Sequence, residues 1–274
     1  DNCLPVKNKT IYLLMFIVGA TFAHGAAMAA EIGMELLPKG RLFRLTFADP
    51  REIQMSLTFE GDSQIHANIG NYFSLLSIRP TEDLNWDVHF GLEGAGFFTM
   101  KQAESRFPLE TADGLIGMYL ETERRPFQAQ LRFTHISAHL ADGSSDSPIA
   151  YSREFITAKV AWVPSEQAQL YVGAQRVMNT TPIVNPWMLQ TGGSYFLPFK
   201  AFKVVPYVGT DFKWREDSEY NPSWSIRTGI ALNNPPATFQ SFRFFYSYYT
   251  GADPRGQYFR RLYTAHSLGI EMQI

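Results

Sequence analysis

The sequence has almost no cysteine. Of its 274 residues only Cys3 carries a thiol, so no intramolecular disulfide can form. The formal net charge is only −2, which removes the electrostatic reason to expect nucleic acid as a partner. Charged residues are scarce at 18%, while aromatics reach 15%, with 22 Phe and 13 Tyr. After Phe22 no apolar run is long enough for a membrane-spanning helix. Neither a phosphate-binding glycine loop nor a Cys-x-x-Cys pair occurs. A chain so aromatic, with a mean hydropathy of −0.15, must interleave its apolar and polar residues.

What is present begins with an export signal. Lys7 and Lys9 precede the apolar stretch Ile11 to Phe22, and Ala27-Met28-Ala29 has the form of a cleavage site. The stretch falls short of the ~20 residues needed to span a bilayer, so cleavage is expected rather than anchoring. Asp1 to Pro5 lie upstream of the basic residues, which makes Val6 a candidate start. Cys3 precedes the apolar stretch and so is not a lipoprotein cysteine. An exported chain without helical spans can cross a membrane only with strands. The expected division is 1–29 for upstream residues and signal peptide, 30–51 for a lead-in, and 52–274 for a transmembrane β-barrel. The lead-in lacks clean alternation and either stays periplasmic or enters the barrel lumen.

From Glu52 onward the period is two. Ile53, Met55, Leu57 and Phe59 share one face of the first segment. Phe127, Ala129, Leu131 and Phe133 alternate with Gln128, Gln130, Arg132 and Thr134 in the fifth, and Ile156, Ala158, Val160 and Trp162 with Thr157, Lys159 and Ala161 in the sixth. There are about twelve such segments, an even number as in single-chain outer-membrane barrels. Aromatics such as Trp86, Trp162, Trp187, Phe199, Trp214, Trp224 and Tyr248 fall near segment ends, where interfacial girdles lie. Leu268-x-Ile270-x-Met272-x-Ile274 resembles the C-terminal strand signal of outer-membrane barrels, with Ile274 where Phe is usual, and implies the barrel assembly machinery as a partner. Short connections at Arg79–Asp83, Glu123–Pro126, Pro164–Gln167, Pro198–Ala201 and Asn233–Thr238 alternate with mostly longer ones at Lys101–Thr111, Ala141–Ala150, Met178–Pro186, Glu216–Asn221 and Gly251–Gln257. The tight turn Glu60–Asp62 breaks this pattern. The fold class expected is all-β, an antiparallel outer-membrane barrel, with the longer loops extracellular.

One hairpin carries candidate chemistry. His135, Ser137 and His139 share the parity of Phe127 to Phe133, and Glu154 that of Ile156 to Trp162. Without a bulge, these polar side chains face outward near the outer interface. Opposed side chains on adjacent strands lie ~4.5–5.5 Å apart, so a serine, a histidine and a carboxylate can form nucleophile, base and orienter. The arrangement resembles outer-membrane phospholipase A and the lipid A 3-O-deacylases, which carry His-x-Ser on the lipid-facing side of a strand. In those families an Asn or Glu on the next strand orients the histidine. The resemblance implies Ser137 as nucleophile, His135 as base and Glu154 as orienter, with outer-membrane lipids as substrate. Both families usually have Asn after the serine, where this chain has Ala138. Calcium-assisted, dimer-dependent activity belongs to the phospholipase family, and its ligands do not map onto this chain. No cofactor or metal is otherwise expected, and the oligomeric state is left open. The bland alternative is that polar residues near the interface cost only ~0–1 kcal/mol and need no function. A bulge at Thr134–His135 would turn His135 inward.

A second set has lumen parity: Asp87, His89, Glu93, Arg132, Asp211, Lys213, Arg215, Arg227 and Arg243. It either lines a selective pore or pairs across a filled interior. Asp87, His89 and Glu93 also admit reading as metal ligands. Across the mature chain, Ala48-Asp49-Pro50-Arg51-Glu52, His135-x-Ser137-x-His139-Leu140-x-Asp142, Ser152-Arg153-Glu154, Asn221-Pro222 and Gly256-Gln257-Tyr258-Phe259 resemble a bacterial outer-membrane family of unknown function. That resemblance implies an outer-membrane location and no activity. Three roles therefore compete: a lipid acyl-ester hydrolase, a pore, and a structural or surface-interaction barrel.

Overall fold

The computed structural model describes residues 33–61, 63–79, 86–197, 204–232 and 241–273. The expected signal and its cleavage site, the turns at 80–85, 198–203 and 233–240, and Ile274 lie outside them.

Twelve antiparallel strands form the wall: β2 (Met55–Glu60), β3 (Gln64–Arg79), β4 (Asp87–Lys101), β5 (Leu109–Arg124), β6 (Phe127–Leu140), β7 (Ser152–Trp162), β8 (Ala168–Thr181), β9 (Trp187–Phe196), β10 (Val204–Arg215), β11 (Pro222–Leu232), β12 (Ser241–Ala252) and β13 (Leu262–Gln273). Each pairs with the next, and β13 pairs back onto β2 from Ser267↔Glu60 to Met272↔Met55, which closes the barrel. A short β1 (Gly33–Leu36) lies on the other end of the β3 edge that β2 uses, from Gly33↔Arg79 to Leu36↔Leu76.

Alternation decides which side chains go where. On β6, Phe127, Leu131 and Phe133 are exposed on the outside, while Gln128, Gln130, Arg132 and Thr134 are buried inside. This inverts a water-soluble protein, since the apolar face is the open one. It is the pattern of an outer-membrane-type barrel, whose outer wall is apolar. Trp86, Trp162, Trp187 and Trp224 are exposed on that wall, and Phe212 stacks between Trp214 and Trp224. Gly91 and Gly192 face inward beside Tyr119 and Tyr171. A Cβ on either would lie 2.5 Å from the ring Cζ, so the missing side chains make room for luminal rings.

The connections divide by end. One end carries 102–108, 141–151, 182–186, 216–221 and 253–261, together with the tight turn after Glu60; the other carries the short links 125–126 and 163–167. We call them the loop end and the turn end.

The lead-in enters the lumen. From Leu37, whose amide donates to Leu75 O, the chain runs inside and returns to the wall at Met55. Its side chains meet wall residues on every side. Arg41 and the amides of Leu42 and Phe43 bond Glu121, Lys159 donates to Thr46, and Tyr72 donates to Glu52. At the innermost turn Asp49 takes Gln190 and Lys213, and Arg51 takes Asp113. The Asp49-Pro50-Arg51-Glu52 segment is thus the tip of a plug. Ile53 does not share the outer face of Met55, Leu57 and Phe59, as its parity suggested. It is buried in the lumen with Tyr72, Phe97 and Tyr119, because the wall strand starts only at Met55.

Candidate functional site

The register of β5, β6 and β7 places the hairpin residues. Pairing is unbroken through Thr134 and His135 on both sides, so the bulge that would have turned His135 inward is absent. His135 and Glu154 stand directly opposite each other and point outward. The His135 Nδ1 to Glu154 Oε1 distance is 3.6 Å, with side chains 39% and 40% exposed. That is an ion-pair separation rather than a hydrogen bond, and catalytic contacts are commonly loose without substrate. Ser137 follows on the same face, between Gly114 of β5 and Ser152 of β7. No hydrogen bond joins Ser137 to His135 among the described residues; next-but-one positions on a strand lie ~6.6 Å apart. Gly114 presents only backbone beside Ser137, with a virtual Cβ 3.8 Å from the hydroxyl, so the wall is notched there. His139 lies one outward position further on, exposed and close to the loop end. The set thus comprises Ser137, His135 and Glu154, with His139 outside its contacts.

A fourth residue joins it. The β7–β8 register shifts between Glu154 and Phe155, with Met178 as the extra residue, and the shift brings Asn179 opposite Glu154 on the outer wall. Asn179 Nδ2 donates to Glu154 Oε2 at 3.5 Å. Simple alternation does not reveal Asn179, since a bulge re-aims the side chain.

The residue after the serine has a packing reason. Ala138 points inward and is 1% exposed. A Cβ on Gly256 would lie 2.5 Å from the Ala138 Cβ, so the loop 253–261 rests directly on it. Gln257 Nε2 donates to the Ala138 carbonyl, and the Ala138 amide donates to Tyr151 O at 3.3 Å. An asparagine would not fit here.

The lumen charges pair within a filled interior. Glu93 accepts Arg132 at 2.7 and 3.0 Å and Thr134 at 2.6 Å. Glu271 binds Arg227 and Arg243 together. Asp211 accepts Tyr171 and Gln190, Lys213 holds Asp49, and Arg215 holds Asp217. His89 is buried opposite Glu121. Asp87 departs from the expected lining: it pairs with Arg79 at the turn end, 3.1 Å away and well exposed, because it is the first residue of β4. Glu121, Asp113, Arg153 and Asp217 belong to this network and do not figure among the lumen charges expected from the sequence. The first three had inward parity as a signal; Asp217 lies in a loop and had none. Asp217 is pushed up by burial, but hydrogen bonds and charge from Arg215 and Arg153 outweigh this and hold its carboxyl below the ordinary value.

Comparison with solved structures finds the same architecture. Outer membrane phospholipase A from Escherichia coli matches with TM-score 0.51 and 13% identity, over 80% of this chain and 89% of that one. An active-site variant of that enzyme matches with TM-score 0.52 and 13% identity, over 87% and 91%. At these identities the likeness concerns the fold alone. The β domain of the Bordetella autotransporter BrkA gives TM-score 0.40 and 11% identity, over 80% and 96%. No curated protein matches the sequence. One family pattern matches residues 19–273, nearly the whole chain, and by it the protein belongs to DUF1207, a family of unknown function.

Proposed function

We propose that the protein sits in the bacterial outer membrane with its loop end outward and hydrolyses acyl esters of outer-leaflet lipids at its outer wall. One observation carries this: His135 and Glu154 face each other outside the barrel, next to Ser137, in a register with no bulge on β6. A lipid ester reaches these groups from the bilayer without entering the barrel. His135 takes the Ser137 hydroxyl proton as Oγ attacks the ester carbonyl. The imidazolium then protonates the departing alkoxide. Water, deprotonated by the same imidazole, cleaves the acyl-serine and frees the fatty acid. Glu154, steadied by Asn179, orients the ring and offsets its positive charge. The apolar outer wall and the outer-membrane-type fold support the location, and the outward, bilayer-facing position of the site supports a lipid substrate. The β13 strand is the element offered to the assembly machinery. A pore gains no support, since residues 37–54 occupy the lumen.

The test is purified, folded protein with labelled phospholipid and lipid A in mixed micelles, in calcium and in chelator, beside Ser137→Ala. Acyl release by the wild type alone is expected, together with labelling of Ser137 by a fluorophosphonate. Equal release by both proteins would remove the proposal.

A further inference from the structure

Arg176 is a basic residue set within the apolar outer wall. Among the described strand residues that face outward, the only other Arg or Lys is Arg124, which sits beside the turn-end link 125–126. Directly opposite Arg176 stand Ile156 on β7 and Trp187 on β9, both outward and exposed, and Arg176 is itself exposed. Trp187 is the first residue of β9, so the pair stands near the loop end, at the height of the aromatic girdle.

The guanidinium lies over the indole of Trp187, 5.6 Å from the ring centroid. Among the described residues no carboxylate pairs with it. Glu154, one outward position from Ile156 on the adjoining strand, turns instead to His135 and Asn179. By contrast, Arg132, Arg153, Arg215, Arg227 and Arg243, on the luminal face of the wall, each hold a carboxylate. A guanidinium facing hydrocarbon is costly at the bilayer midplane and inexpensive at the interface, where lipid phosphates are the anions within reach. Its planar fork matches two phosphate oxygens. On the turn-end side of Arg176 the wall carries little side chain. Ala174 and Ala158 face each other there, between Leu189 and Leu131. They leave a shallow trough that leads from the guanidinium toward the hydrocarbon.

We propose that Arg176 and Trp187 hold the phosphate of a membrane lipid against the outer wall, with an acyl chain in the trough between Leu189 and Leu131. The indole steadies the guanidinium, and the phosphate supplies the negative charge that no described side chain provides. This binding is independent of any turnover at Ser137.

Full-length folded protein in non-ionic detergent is titrated with a dialkyl ether phosphatidylglycerol, which no esterase cleaves, with the matching dialkylglycerol, with lipid A and with inorganic phosphate. Retained ligand is counted by native mass spectrometry. Saturable retention of one phosphate-bearing lipid per chain is expected, and whichever of the two lipids is held more tightly identifies the source of the phosphate. Arg176→Gln weakens retention by at least about tenfold, while Arg124→Gln leaves it unchanged. Neither variant moves the urea midpoint, since both side chains are exposed. Retention of the dialkylglycerol equal to that of the phosphate-bearing lipids overturns the proposal, as does inorganic phosphate held as tightly as they are. Retention unchanged in Arg176→Gln, or lost equally in both variants, overturns it as well.

Discussion

Ala138 and Ser137 are neighbours in sequence with opposite duties, one against Gly256 inside and the other on the outer wall. Ala138→Asn, which restores the residue usual in the resembling esterases, is expected to destabilise the fold by about 1–3 kcal/mol through overpacking, seen as a lower urea midpoint. His135→Ala should do the reverse. Acyl release falls by about 10²–10⁴, the usual worth of a general base, while the urea midpoint barely moves because the side chain is partly exposed. Asp217 gives a pH signature. Its folded value lies below the unfolded one, ~3.9, so its contribution is complete above about pH 4 and is lost as pH falls through the folded value. Melting temperature should drop more steeply below about pH 4 in the wild type than in Asp217→Asn. Equal slopes would show that another group governs acid loss. At this scale His135, Ser137 and Glu154 were legible because their alternation runs without interruption. Asn179 was hidden by the bulge at Met178, and Asp217 by lying in a loop whose partners come from other strands.

The plug is the element that alternation could not describe. A strand has two faces and a simple period, but residues 37–54 meet the wall on all sides, so their polar and apolar residues follow the wall rather than a rhythm. Arg41 and the amides of Leu42 and Phe43 all converge on Glu121. Glu121→Ala strands a buried guanidinium and should cost about 3–5 kcal/mol. Planar-bilayer recordings should find no steady current through the wild type and intermittent openings in this variant. A steady wild-type current would mean that the plug does not fill the lumen.

At the scale of the whole molecule, strand number, the apolar exterior and the need for closure were readable from the sequence, whereas the place of the seam was not. The seam pairs β13 with β2, and β2 is short, so no local signal marks it. Leu57 and Ile270 face each other across it on the outer wall. Opposed Cα atoms at ~4.5–5.5 Å suit a disulfide, so Leu57→Cys with Ile270→Cys should cross-link on oxidation and resist unfolding in a gel. Failure to cross-link would place the closure elsewhere.

The seam and the plug share a strand, and that ties the plug to the wall at both of its ends. Residues 37–54 are held at both ends, by β1 on one part of the β3 edge and by β2 on another. The plug is therefore an anchored bight rather than a free tail. It has no free end to withdraw, so it enters or leaves the lumen only as a doubled loop, with both of its legs moving together.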